Sequence, residues 1–314
     1  MSLPFLQPYF GLSNSLQTAH ASGAGSGATR GVFGGGSTGS VTNVIEYITI
    51  ASTGNATDFG DLTVARQQLS GVSSEVRGVF CGGHTGVFSN VMDYITIASA
   101  GNATDFGDLI IARGAMSGVN SEVRGVVMGG NEGVGNVDTM EYITIASTGN
   151  ATDFGNLTVA RRETGGEGVN SSTRGVMGGG YSTNYEDTMD YITIATVGNA
   201  TDFGNLTVAR YGTAGLNSLT RGVFCGGDTG AKSNVMDYIT IASTGNATDF
   251  GDLTVATRVQ GALNSIVRGI VGGGSTGSVT NVIEYITIAS TGNATDFGDL
   301  TVARDMLSGL QNGL

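Results

Sequence analysis

Short apolar runs recur along the chain, separated by glycine-rich or Ser/Thr/Asn-rich breaks. In the stretch 90–99, NVMDYITIAS, residues alternate in direction. Met92, Tyr94, Thr96 and Ala98 point one way, Val91, Ile95 and Ile97 the other. Both faces are largely apolar, as in a strand of a sheet covered on both sides. RGVFCGG before it is a second short strand, LSGVSSE a weaker one, and DFGDLTVA can supply a fourth, outer one. TGNATD, between the last two, has turn chemistry. No window of eleven or more residues carries a 3.6-residue period, and glycine or β-branched residues interrupt every helical candidate. The predicted class is all-β.

The pattern repeats. The arginine before each glycine cluster falls at Arg30, Arg77, Arg124, Arg174, Arg221 and Arg268, spaced by 47, 47, 50, 47 and 47 residues. Each unit has a tyrosine (Tyr47, Tyr94, Tyr142, Tyr191, Tyr238, Tyr285) and, further on, a phenylalanine (Phe59, Phe106, Phe154, Phe203, Phe250, Phe297), expected to be core anchors. Units of this length are stacked or arranged in a circle. Four short antiparallel strands per unit, each sheet sandwiched by its siblings, predict a six-bladed β-propeller in one domain over 21–314. An open β-solenoid is the competing architecture and would need caps that the short termini do not supply. Gly23–Thr29 and the stretch 305–314, DMLSGLQNGL, both read as inner strands, whereas a ring needs one. The C-terminal segment is expected to complete the first blade or lie against it, leaving residues 1–20 as a docking arm.

Composition narrows the functional classes. Glycine accounts for 54 of 314 residues without a Gly-x-y period and with two prolines, which excludes collagen and assigns glycine to turns and tight packing. A formal net charge of −12 leaves no basic stripe for phosphates, so nucleic acid is a poor partner. With no run of eighteen apolar residues and no positive, apolar leader at the start, neither membrane insertion nor a secretory signal is expected.

RGVFCGG, then a tyrosine-bearing strand, an aromatic, and VAR opening the next strand resembles the kelch motif over roughly 23–304, with phenylalanine where that motif has tryptophan. The wording EYITIASTGNATDFGDLTVAR…RGVFGGG also resembles repeats in structural and tail-associated proteins of marine bacteriophages. That resemblance implies a non-enzymatic virion component of a tail or fibre. It would dock on other virion proteins through the arm and contact a host surface protein or glycan through its loops. A carbohydrate-binding, lectin-like module is the alternative.

Recurrent charges predict a structural device. Besides the six arginines above, Arg66, Arg113, Arg161, Arg210, Arg258 and Arg304 close the TVA segments, and only Arg162 and Lys232 fall outside this template. Acids precede each tyrosine (Glu46, Asp93, Glu141, Asp190, Asp237, Glu284) and each phenylalanine (Asp58, Asp105, Asp153, Asp202, Asp249, Asp296). An arginine–carboxylate fork in every blade is expected, built from the arginines before the glycine clusters and the acids before the phenylalanines. Calcium at DFGD, for example Asp58 with Asp61, is the competing reading, but two carboxylates are too few ligands, so no cofactor or metal is expected. The Asn of each NAT is read as a turn residue bonding its own backbone. His20 and His84 lack ligand-spaced companions. Cys81 and Cys225 are expected to be buried thiols.

Units differ most between the glycine cluster and the tyrosine strand, so six variable loops should share one face. Phe88, Tyr181 and Tyr185 in those loops are the first binding candidates. Asn120, Asn170, Asn217 and Asn264, on the inner strands, are a second set that would line an axial channel.

Overall fold

The computed structural model describes residues 29–162 and 166–313. The expected docking arm and most of Gly23–Thr29 lie outside the described residues. The chain is a six-bladed β-propeller of four-stranded antiparallel sheets, matching kelch-like blade architecture. In blade two the inner strand Ser70–Ser73 pairs with Arg77–His84, which pairs with Phe88–Thr96, which pairs with the outer strand Thr104–Asp108. Blade one takes Arg30–Gly34, Val44–Thr49 and Thr57–Asp61 from the start of the described chain and its inner strand, Ser308–Gln311, from the other end. Val32 sits opposite Leu310 in that pairing.

The alternating pattern of the third strand becomes burial. Met92, Ile95 and Ile97 are buried, Tyr94 is half-buried and Thr96 is exposed. Six apolar clusters form, each between two neighbouring blades. Between blades six and one, for instance, Leu263, Ile283 and Phe297 meet Phe33, Ile48 and Ile50. Burying one such side chain stabilises by about 1.5–3 kcal/mol, and the gain exists only when a neighbouring blade supplies the other wall.

Polar groups set the seams. The NAT asparagines do not bond their own turns. Asn102 Oδ1 accepts the Asp61 N–H of the preceding blade at 3.0 Å, and Asn55 Oδ1 accepts the Asp299 N–H across the closing seam at 3.1 Å. Flanking backbone amides do the same: Gly101 N–H donates to Phe59 O and Ala103 N–H to Asp61 O. The turn sequence is repeated because it is an adhesive between blades. The glycine of DFG is the other half of this contact, since a Cβ on Gly60 would stand 2.5 Å from Gly101 O.

The arginine–carboxylate fork is made by a different set from the one expected. Ion pairs join Arg66 to Asp93 (2.7 Å), Arg113 to Glu141 (3.2 Å), Arg161 to Asp190 (2.8 Å), Arg210 to Asp237 (2.9 Å) and Arg304 to Glu46 (2.8 Å), all buried and each crossing a seam. Arg30, Arg77, Arg124, Arg174, Arg221 and Arg268 instead lie over the tyrosine rings of their own blades, Arg30 at 4.5 Å from the Tyr47 centroid. They donate to carbonyls of the next blade, as Arg30 does to Ile97 O at 3.1 Å. Asp58, Asp105, Asp153, Asp202, Asp249 and Asp296 are exposed. The difference has a physical reason: the second arginine set sits in the connectors that enter each inner strand, where the side chains are fully buried in the seam and a carboxylate must neutralise them.

Near the axis, the residues just before the inner strands form a belt. Ala115 N–H donates to Gln68 O, Gln68 N–H to Met306 O, Met306 N–H to Val259 O and Val259 N–H to Gly212 O. Gln68, Ala115, Val259 and Met306 all have φ between 52° and 60°, a conformation that costs a side-chain-bearing residue energy and that the belt holds in place.

Candidate functional site

Strand direction puts the six variable loops and the blade-to-blade connectors on one face of the ring, and the TGNAT turns on the other. On the loop face the blades are unequal. Blades six and one carry the same small polar loop, STGSVTN, whereas blades two to five carry the aromatic and cationic groups.

Phe88 belongs to a strand, not a loop. The second and third strands of blade two extend through a bulge so that His84 pairs with Phe88. Their rings meet edge-to-face at 5.0 Å. Beside them lies a depression of about 190 Å³ lined by Gln67, His84, Phe88, Asn131 and Arg162. Asn131 Nδ2 donates to Asn136 Oδ1, and Asn136 Nδ2 donates to Tyr181 O at 2.9 Å, which ties blade three to blade four. Tyr181 meets Tyr185 edge-to-face at 5.8 Å, and Tyr185 stacks on Tyr211 of the next connector at 5.6 Å with the rings 5° apart. Arg162 lies over Tyr181 at 5.6 Å and Arg258 over Tyr211 at 5.4 Å. Arg258 also donates to the Tyr211 hydroxyl and pairs with Asp228 at 3.3 Å, and Lys232 reaches the same carboxylate at 3.7 Å. Tyr185 is 36 % exposed.

The result is a continuous arc from Phe88 to Arg258 that presents flat rings with cations at their faces. Arg162 and Lys232, which the sequence puts outside the repeat template, lie in it, and so does Arg258, which stands one position beyond the register of Arg66, Arg113, Arg161, Arg210 and Arg304 and so leaves that template as well. Tyr211, His84, Arg258 and Asp228 were not among the sequence candidates. Their signal was a departure from the repeat: Tyr211 and Arg258 stand where Gln67, Gly114 and Asp305 stand elsewhere.

The inner-strand asparagines take a structural task. Ser73, Asn170 and Asn217 N–H donate to Asn120, Asn217 and Asn264 Oδ1 at 3.1–3.2 Å, linking consecutive inner strands. They do line the axis, but the axis is plugged. Glu167, from the one unit with the longer spacing, crosses it and accepts from Ala262 N–H (2.9 Å), Ser308 Oγ–H (2.7 Å) and Gly309 N–H (2.6 Å). A blade-four carboxyl thus ties blades six and one together. Burial pushes this carboxyl up to about 8, against the pull of its three donors.

Other candidate chemistry is dispersed. Cys81 and Cys225 are free and buried, and burial pushes the Cys81 thiol up to about 12. Among the described residues no group of three or more His, Cys, Asp or Glu side chains converges as a metal site. No helix of the described residues is long and apolar enough to cross a membrane. No family model matches the chain, and no curated protein matches it.

Proposed function

We propose that this chain is a non-catalytic interaction platform whose loop face, through the arc from Phe88 to Arg258, grips a partner surface. The observation that carries this reading is the stacked Tyr185–Tyr211 pair, with Arg258 over Tyr211 and Arg162 over the adjoining Tyr181, on a rigid frame of six repeated blades. Large rigid rings with adjacent cations contribute contact area at little entropic cost, and tyrosine and arginine are enriched where binding energy concentrates. The fold is all scaffold elsewhere, so selection of a partner falls to the residues that break the repeat.

We further propose the setting that the repeat wording resembles: a structural or host-contacting part of a bacteriophage virion, with residues 1–20 docking on other virion proteins. Alanine at Tyr181, Tyr185 and Tyr211 should abolish adsorption of the purified protein to susceptible host cells, while alanine at the exposed Thr38 and Ser40 of blade one should leave it intact. Equal loss from both sets would contradict the assignment of the arc. Antibody labelling of particles tests the virion setting separately, and absence from particles would remove that setting alone. A lectin-like reading is favoured by the depression beside Phe88, where an aromatic ring, His84, Gln67 and Asn131 offer stacking and hydrogen bonds together. Glycan binding lost on Phe88→Ala would support it.

A further inference from the structure

Five of the six seams hold a buried arginine against a carboxylate; the seam between blades five and six does not. Its connector reads TVATR where the others read VAR or IAR, and the residue in register with Arg66, Arg113, Arg161, Arg210 and Arg304 is Thr257. Backbone bonds confirm the register. Thr257 N–H donates to Ser233 O as Arg66 N–H donates to Thr42 O and Arg304 N–H to Thr280 O. Arg258, the next residue, does not substitute, because its side chain turns to Tyr211 and Asp228 on the loop face.

The carboxylate at this seam is nonetheless retained. Glu284 stands where Asp93 and Glu46 stand in their blades, and Thr254 donates to its Oε1 from both N–H and hydroxyl, as Thr301 does to Glu46 Oε1. At Glu46 the other oxygen, Oε2, takes the guanidinium of Arg304, and Asp93 takes that of Arg66 on Oδ2. Glu284 has no such cation among the described residues. Beside it lies a cavity of about 40 Å³ lined by Thr257, Gln260, Val271, Gly273, Val282 and Glu284. One water needs about 10–15 Å³ measured this way, so the space takes a group of several heavy atoms.

The carboxylate, the carbonyl-bearing residues and the unpartnered amide oxygen of the wall fit one kind of group. At other seams the arginine donates to the carbonyls of Phe80, Val44 and Gly179. The residues in register here, Val271, Val282 and Gly273, all line the cavity. Gln260 replaces the apolar Leu69, Met116 and Leu307 of other blades; its Nε2 donates to Thr257 Oγ1, and its Oε1, on a side chain 2 % exposed, has no partner. The lining therefore places around a carboxylate the same register positions whose carbonyls accept from the guanidinium at sibling seams. Exposed Thr276 and Val255 at its edge give the cavity an opening to solvent.

We propose that the seam between blades five and six is a guanidinium-binding site, in which an external guanidinium completes the ion pair that the other seams make internally. Occupancy joins two blades next to Tyr211 and Arg258, and a bound group would stiffen that end of the arc. The donor could be a free small guanidine or an arginine side chain of a partner protein.

The test uses the full chain and its thermal unfolding. Low-millimolar methylguanidinium should raise the melting temperature by about 2–4 °C over sodium chloride at equal ionic strength. N-acetylarginine amide should give the same shift if a side chain can enter; a shift with methylguanidinium alone assigns the site to free small guanidines. Thr257→Arg should raise the melting temperature without ligand and abolish the response, and Glu284→Gln should abolish the response alone. An equal shift with sodium or potassium, no shift with either guanidine, or an undiminished response in Thr257→Arg would overturn the proposal.

Discussion

Arg304 Nη2 and Glu46 Oε2 stand 2.8 Å apart although 258 residues separate them in the chain. Their contact is the same one that Arg66 makes with Asp93 between blades one and two, so the seam that closes the ring is built like an internal one. Arg304→Ala leaves a buried carboxylate unpaired and should lower stability by about 3–5 kcal/mol in urea unfolding, as should Arg66→Ala. A loss below about 1 kcal/mol for Arg304→Ala beside a full loss for Arg66→Ala would mean that the ends do not meet.

Glu167 gives the axis a pH dependence. Its folded-state carboxyl is raised to about 8 from an ordinary 4.5, so the folded protein keeps a proton that the unfolded chain releases. The stability it contributes is complete below about pH 4.5 and is lost as pH rises through 8, by linkage on the order of 4 kcal/mol. The difference in unfolding free energy between wild type and Glu167→Gln should therefore shrink or reverse from pH 5 to pH 8.5. Parallel pH profiles for the two proteins would show that Glu167 does not titrate in this range.

Gly60 tests the packing of the turns between blades. A methyl group there meets Gly101 O at 2.5 Å, and φ of 147° disfavours any side chain. Gly60→Ala should destabilise by about 1–3 kcal/mol, whereas Gly54→Ala, with open space around it, should cost less. Equal costs would place the effect in backbone conformation and not in the seam.

How far the sequence discloses this molecule follows from what repeats and what does not. Blade number, strand order and the tyrosine and phenylalanine anchors were legible because each is written six times, and burial alternation followed from NVMDYITIAS. Partners across seams were not. Nothing in spacing distinguishes Arg30 from Arg66, since both sit beside apolar strands, and only the turn of the chain at the connector decides which one faces a carboxylate. Asn102 reads as a local turn residue for the same reason: its acceptor role lies with Asp61 of the preceding blade, which is remote in sequence. Residues that break the template, such as Tyr211, Thr257 and Glu167, were visible as irregularities, but their chemistry needed neighbours from other blades.

Cys81 and Cys225 serve as reporters of the closed cores. Both are buried and free, and burial raises both thiols well above the ordinary value, so neither is nucleophilic at neutral pH. A thiol-reactive dye should label neither in the native protein and both in denaturant. Rapid native labelling of Cys81 would mean that the seam between blades two and three opens readily.

Amide hydrogen exchange is the most direct measure of the ring. Gly54, Ala56 and Met306 donate across the closing seam to Phe297, Asp299 and Val259, as Gly101, Ala103 and Ala115 donate across internal seams to Phe59, Asp61 and Gln68. A closed propeller predicts that the two sets are protected to the same degree, within about tenfold. Exchange of Gly54, Ala56 and Met306 at the rate of unstructured peptide, with the internal set still protected, would contradict it.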